Sequence, residues 1–278
     1  NSAGDTITEV LVDRDGEKLK FTGDIVVVSC GAANSARLLL MSANDKHPNG
    51  LANRSDQVGR NYMYHNCKAV VALGREPNDT IFQKTIAVND WYFGDNDFDF
   101  PIGNIQMTGK TNGAMMKGYK PKLTALAPTW SMDKLAERSL DFWLQTEDLP
   151  KSDNRVTVDS SGQITLSYLA TNDRASSELM NRLERVLEKL YQQDHLAERQ
   201  IYFASDMAIA AVGHQAGTCR FGTNPEDSVL DLNCKAHDLD NLYVVDTSFF
   251  PSIGAVNPSL TAIANAIRVS EHLVERLG

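Results

Sequence analysis

Leu242 to Val245, an apolar run stopped by Asp246, leaves fewer choices of fold than any other stretch of the chain. Four apolar residues bounded by polar ones are too few for a helix and suit a buried strand. A helical pattern follows, with Leu260, Ile263, Ala264, Ile267, Ser270 and Val274 on one face. That face is expected to pack the loop around Asn257 down. Ile25 to Val28 is a second such run, β-branched throughout, and is expected to be a strand buried on both faces. Gly31 ends it, and Asn34 or Ser35 can cap a helix carrying Ala36, Leu38, Leu39, Leu40 and Met41. Buried strands that run into helix starts are the mark of an α/β fold, whose ligands collect beyond the strands' carboxyl ends.

Other stretches alternate. Thr6–Asp13 and Lys18–Thr22, joined by Asp13-Arg14-Asp15-Gly16, read as a β-hairpin. Residues 68–73 read as a strand, and Asp153–Tyr168 as a hairpin turning at Ser161-Gly162. Ser176–Asp194 reads as an amphipathic helix: Leu179, Leu183, Val186, Leu187 and Leu190 face inward, and Arg182, Glu184, Arg185 and Glu188 face water. Ser131–Trp143 carries a weaker helical pattern. Trp91, Tyr92, Phe93, Phe98 and Phe100 either wall a pocket or pack on a sheet.

Composition narrows the function. The chain has 278 residues, enough for about two domains, with 42% hydrophobic and 23% charged residues. A net charge of -9 argues against nucleic acid, whose phosphates call for Lys and Arg. No apolar run reaches the ~18 residues of a membrane span. Cys30, Cys67, Cys219 and Cys234 show no CxxC spacing, which favours reduced, buried thiols over a disulfide framework. His65 near Cys67 and His237 near Cys234 lack a second ligand pair nearby, so no metal is expected.

The chemistry concentrates on either side of Leu242–Asp246. His214 precedes that strand and Asn257 follows it, so loops can bring both above its carboxyl end. A histidine titrates near neutral pH and is the natural base for a hydroxyl proton. A neutral amide can hold the forming oxyanion without adding a competing charge. A hydride taken from carbon needs an acceptor that no side chain supplies, hence a cofactor.

Three segments carry a family resemblance: GHQAGTCRFG (213–222), LYVVDTSFFPS (242–252) and NPSLTAIANA (257–266). Together they resemble the C-terminal signature of the glucose-methanol-choline (GMC) family of flavin-dependent oxidoreductases. The run from Gly31 to Leu40 is similar to a second signature of that family, although Ser42-Ala43-Asn44-Asp45 departs from its usual ending. Val58, Gly59, Arg60, Asn61 and His65 match a third, where the chain leaves the cofactor domain; Tyr64 stands where the family often has Asp. His65 is expected to be a hydrogen-bonded structural residue.

The resemblance implies His214 as catalytic base and Asn257 as its partner. It implies cofactor contacts from Gly31, Ala32, Asn34, Asp246, Thr247, Asn257, Pro258 and Ser259, with Asp246 accepting from a ribityl hydroxyl. It implies an α/β fold with an α+β second domain. Residues 1–66 and 206–278 would form an incomplete FAD-binding Rossmann-like domain, and 67–205 an antiparallel-sheet substrate domain. The substrate would be a small alcohol or sugar, and the electron acceptor is not identified. No GxGxxG occurs, so the expectation is a C-terminal fragment that binds FAD weakly or not at all alone. Two rivals stand beside this reading. One is a catalytically silent binding or assembly module. The other is a hydrolase pairing His214 with Cys219 or a serine, against which stands the lack of GxSxG.

Overall fold

The computed structural model describes residues 1–119, 126–197 and 203–278. The chain opens with a hairpin, β1 (Val10–Arg14) and β2 (Glu17–Phe21), whose register closes with Arg14 opposite Glu17. Asp15 and Gly16 form the two-residue loop with φ of 55° and 87°. Two positive φ values match the twist of the flanking strands, and Asp-Gly tolerates them. Strand β3 (Val26–Val28) and helix α1 (Ala32–Met41) follow. The helix begins at Gly31, before either expected cap, and no side chain caps it. Ser35 lies inside the first turn, where its Oγ accepts from the Cys30 N–H and donates to Asp246.

Strand β4 (Met63–Tyr64) leads into β5 (Asn66–Leu73), β6 (Ala87–Val88) and β7 (Asn104–Met107). Helices α2 (Gly113–Tyr119) and α3 (Thr129–Ala136) precede β8 (Ser139–Thr146). The helical pattern expected to run to Trp143 therefore stops at Ala136, and Trp143 lies in a strand. Next come the hairpin β9 (Arg155–Val158) and β10 (Ile164–Ser167), helix α4 (Asp173–Gln192) and strand β11 (Phe203–Asp206). The chain ends with β12 (Gln215–Ala216), β13 (Leu242–Val244) and helix α5 (Ser259–Leu277). The fold is mixed α/β. A five-stranded antiparallel sheet runs in the order β11-β5-β8-β7-β6, and β3 and β13 form a parallel pair.

The sheet has two unlike faces because alternate residues point opposite ways. Val70, Ala72, Ile105 and Leu144 bury one face under Leu179, Leu183 and Leu187 of α4. The register puts Cys67, Asn104, Gln106, Trp143 and Gln145 on the other face. At the far end of that second face, Val71, Leu73 and Phe203 pack under Met116 of α2 and Met132 of α3. Its remainder carries the polar side chains of the site.

Hairpin β9–β10 falls inside the expected second domain, yet it packs with the first apolar cluster, which holds Val156, Val28, Leu242 and Val244 together. Phe98, Trp91 and Phe100 pack on the cluster under α4, whereas Phe93 is exposed. Arg182 is not on a solvated face. It is buried, and its guanidinium bonds Asp95 and Glu178. Val27 is half exposed, so β3 is not covered on both faces.

Helix α5 is turned from the expected orientation. Leu260, Ile263, Ile267 and Val274 are exposed, and Asn265 and Val269 are buried. Its inward side carries polar groups that find partners. The Asn265 amide donates to Cys234 Sγ, and Arg276 donates to the hydroxyl of fully buried Tyr243 at 2.8 Å. Among the described residues no helix is long and apolar enough to cross a membrane.

Candidate active site

A short ladder places the histidines. Strands β4 and β12 pair Tyr64 with Gln215, and continuing that register by one residue sets His65 opposite His214. Their Nδ1 atoms lie 3.0 Å apart, with the rings nearly perpendicular at 79°. Gln145 Oε1 lies 2.9 Å from the same His65 Nδ1. His214 stacks on Trp143, centroid to centroid 5.5 Å. Its Nε2 bonds no protein group among the described residues.

Asn257 reaches the same sheet face from the other side. Its Oδ1 accepts from Gln106 Nε2 at 2.6 Å, and Gln106 is the direct cross-strand neighbour of Trp143. The bases of the histidine and of the amide are therefore adjacent positions of one sheet. With its oxygen held, the Asn257 amide keeps its NH₂ free of protein partners among the described residues. Tyr92 fixes the loop beneath it, its hydroxyl accepting from the Ala255 N–H at 3.1 Å. Buried Pro258 then starts α5, with Ser259 exposed at its first turn.

Asp246 gathers four internal donors. One oxygen accepts from the Gly31 N–H at 3.0 Å and Ser35 Oγ at 2.5 Å. The other accepts from the Ser248 N–H at 2.7 Å and from Ser248 Oγ. The carboxylate thus ties the end of β13 to the start of α1. Thr247 and Ala32 are joined to the strand of His214 through backbone groups. The Gly217 N–H donates to the Thr247 carbonyl at 3.2 Å, and Thr218 Oγ1 donates to the Ala32 carbonyl at 2.6 Å. Asn34 is exposed on the first turn of α1. Arg220 holds its own loop by donating from Nε to the Asp227 carbonyl.

Burial sets the electrostatics. Desolvation, then the neighbouring His214, pushes fully buried His65 down to about 4. Desolvation, then the Lys84 ammonium, lowers His214 as well. Both shifts favour the neutral imidazole, the form a base requires. Burial pushes the Cys67 thiol up to about 12. It raises the Cys219 thiol too, with the Asp246 carboxylate adding to the effect. Cys219 is fully buried, and neither thiol is poised as a nucleophile, which weighs against the Cys219 version of the hydrolase reading. Among the described residues no group of His, Cys, Asp and Glu could hold a metal.

The depressed His65 has a consequence for stability. Between about 4 and the ordinary value near 6.5, the unfolded chain binds a proton that the folded chain refuses. Stability is therefore full above about pH 6.5 and falls as pH drops toward 4, by at most about 1.4 kcal/mol per pH unit for one proton. Denaturant midpoints measured from pH 7 to 4 are expected to show this slope, and a His65→Asn variant is expected to show less of it.

His65, Gln106, Trp143 and Gln145 are the parts of the site that sequence reasoning missed or left structural. A signal was present. In Ser139–Thr146, Leu140, Phe142 and Leu144 alternate with Ser139, Asp141, Trp143 and Gln145, which is the pattern of a two-faced strand.

Comparisons with known proteins agree with this architecture. The family model for the C-terminal part of GMC oxidoreductases matches residues 150–266. A 2-methyl-1,2-propanediol dehydrogenase from Mycolicibacterium austroafricanum is 29% identical over 95% of this chain and 50% of its own length. A 6'''-hydroxyparomomycin C oxidase from Streptomyces lividus is 29% identical over 99% of this chain and 49% of its own. The chain thus spans about half the length of the curated relatives it matches. Among solved structures, a formate oxidase from Aspergillus oryzae RIB40, studied for its FAD modification, superposes with a TM-score of 0.68. That match has 15% identity and covers 98% of this chain and 58% of the oxidase. The signatures around His214, Asp246 and Asn257, the family model over residues 150–266 and these relatives converge on one likeness: the chain is similar to the C-terminal portion of GMC oxidoreductases.

Proposed function

We propose that this chain supplies the acid–base machinery of an FAD-dependent oxidoreductase acting on the CH–OH group of an alcohol or sugar. The observation that carries the reading is the pairing on one sheet face of a neutral imidazole with a free Nε2 and a carboxamide with a free NH₂. The relatives' names, a diol dehydrogenase and an aminoglycoside oxidase, agree with hydroxyl substrates.

His214 Nε2 takes the hydroxyl proton. The Asn257 NH₂ donates to the same oxygen and stabilises its developing negative charge. Trp143 offers a flat wall beside the imidazole. Gln106 and Tyr92 hold the amide and its loop.

The start of α1 fits a polar cofactor. Gly31 has φ +83°, no heavy atom lies within 4 Å of where its Cβ would stand, and the first turn is uncapped. Unpaired helix N–H groups there suit a ligand rich in acceptors. Gly31, Ala32, Asn34, Thr247, Asn257, Pro258 and Ser259 would hold the flavin. Asp246 would act by fixing Gly31 and α1, because its acceptor positions are already used. Bound FAD would supply the hydride acceptor. In this reading residues 1–66 and 206–278 serve the cofactor and 67–205 the substrate, with the ADP portion held by polypeptide other than these residues.

The test is anaerobic mixing of the complete flavoprotein with alcohols, polyols and sugars. Bleaching of the oxidised flavin band by at least one of them is expected. A complete protein that carries no flavin, or whose flavin no such donor reduces, overturns the reading.

A further inference from the structure

Two imidazoles meeting Nδ1 to Nδ1 at 3.0 Å share one hydrogen bond, so one ring carries the proton and the other is bare. Which ring it is decides what His214 can do. With Gln145 Oε1 facing His65 Nδ1, the proton sits on His65, and His214 keeps its own proton on Nε2. That arrangement leaves Gln145 Nε2 and His65 Nε2 both buried without hydrogen-bond partners. Turning the Gln145 amide by half a turn exchanges atoms that geometry alone does not distinguish. The amide NH₂ then donates to His65 Nδ1, and the His65 proton moves to Nε2. The backbone at Ile253 and Gly254, close to the ring, favours a proton on His65. After the turn, the unpartnered Gln145 position holds an amide oxygen in place of an NH₂, and buried carbonyl oxygens go without partners more readily than N–H groups do.

We propose that His65 and Gln145 are positioning residues that hold His214 as the Nδ1–H tautomer, leaving its Nε2 bare as the proton acceptor of the site. The tautomer assignment stands on the buried contacts; its catalytic use rests on the function proposed above. The β4–β12 ladder fixes the two rings opposite each other. Trp143 keeps the His214 ring from rotating out of line. Neither residue touches substrate.

The direct test is long-range proton–nitrogen NMR on the chain, isotope-labelled at its six histidines and held near neutral pH. Signals are assigned by their loss in His65 and His214 variants. The expected result is a protonated Nδ1 and a bare Nε2 for His214, with the reverse for His65. A His214 protonated on Nε2, or one averaging between tautomers, overturns the proposal. Should the variants not fold, the protonation pattern of the two coupled rings in the unaltered chain still decides it.

A second arm uses the complete flavoprotein. His65→Leu, which has no acceptor, is expected to lower kcat by about 10–100-fold with KM little changed. His65→Asn, which returns an oxygen near the Nδ1 position, is expected to recover most of that loss. Equal turnover in His65→Leu and the unaltered enzyme overturns the positioning role. If the unaltered flavoprotein oxidises no alcohol, the functional reading fails while the NMR result stands by itself. If it is active but His214 shows the other tautomer, only this inference fails.

Discussion

Replacing His214 by Ala in the complete flavoprotein is expected to lower kcat by about 10²–10⁴-fold, the range a positioned general base supplies. The expected loss follows from what the imidazole touches. Its Nδ1 is engaged by His65, its face lies on Trp143, and its Nε2 bonds no protein group among the described residues. Truncation would therefore remove the proposed proton acceptor and leave Trp143, Gln106 and Asn257 as they stand. Substrate binding measured by equilibrium titration should change far less than turnover. The profile of kcat/KM against pH should show an acidic limb in the unaltered enzyme, falling as His214 protonates. Because burial and the Lys84 charge lower that residue, the limb should lie below pH 6.5. The variant should lose the limb. Turnover within threefold of the unaltered enzyme would take the base role from His214.

The second large effect is on stability. Gly217→Ala is expected to destabilise the chain by roughly 2–5 kcal/mol. Gly217 has φ +90°, and a Cβ there would stand 2.3 Å from the Asn61 carbonyl oxygen and 2.6 Å from Met63 Cε. Left-handed backbone costs an L residue about 1–2 kcal/mol, and overpacking adds about 1–3. The carbonyl is part of the segment that Gly59 anchors, for the Gly59 N–H donates to the Thr218 carbonyl at 2.8 Å. The Val-Gly-Arg-Asn segment and the Gly-Thr-Cys-Arg segment therefore dock backbone to backbone, and a methyl group cannot enter. Each kcal/mol should move Tm by about 2–4 °C in a domain of this size. Gly213→Ala is the control, since no heavy atom lies within 4 Å of its Cβ position and its φ is ordinary. A thermal melt in which the two variants behave alike would show that the close approach is not what the motif glycine serves.

Local patterns were legible where one interaction decides the outcome. The Asp15-Gly16 turn, the alternating arms of β9 and β10 and the leucine stripe of α4 could all be read from spacing. Other features failed for a common reason: they depend on partners distant in sequence. Arg182 falls on the outer side of α4 by periodicity, but Asp95 lies close enough to pull it in. Helix α5 offers two stripes, and Tyr243 and Cys234 select the one with matching polar groups. The helical reading of Ser131–Trp143 joined α3 to a strand: Met132 and Leu135 stand three apart as a helix requires, whereas Leu140, Phe142 and Leu144 alternate as a strand does. Of the candidate site, His214 and Asn257 could be singled out from the sequence, whereas Gln106 and Gln145 became visible only once β7 and β8 were paired.

The unlike faces of the five-stranded sheet separate two kinds of inherited change. Residues under α4, such as Leu144 and Ile105, answer to volume, since a lost methyl group there leaves a hole. Their neighbours Trp143, Gln145 and Gln106 answer instead to the side chains they hold, His214, His65 and Asn257. One strand position apart, these residues point away from each other. A lineage can thus rewrite alternate letters of β7 and β8 and reach the candidate site, while the scaffold beneath keeps its spelling.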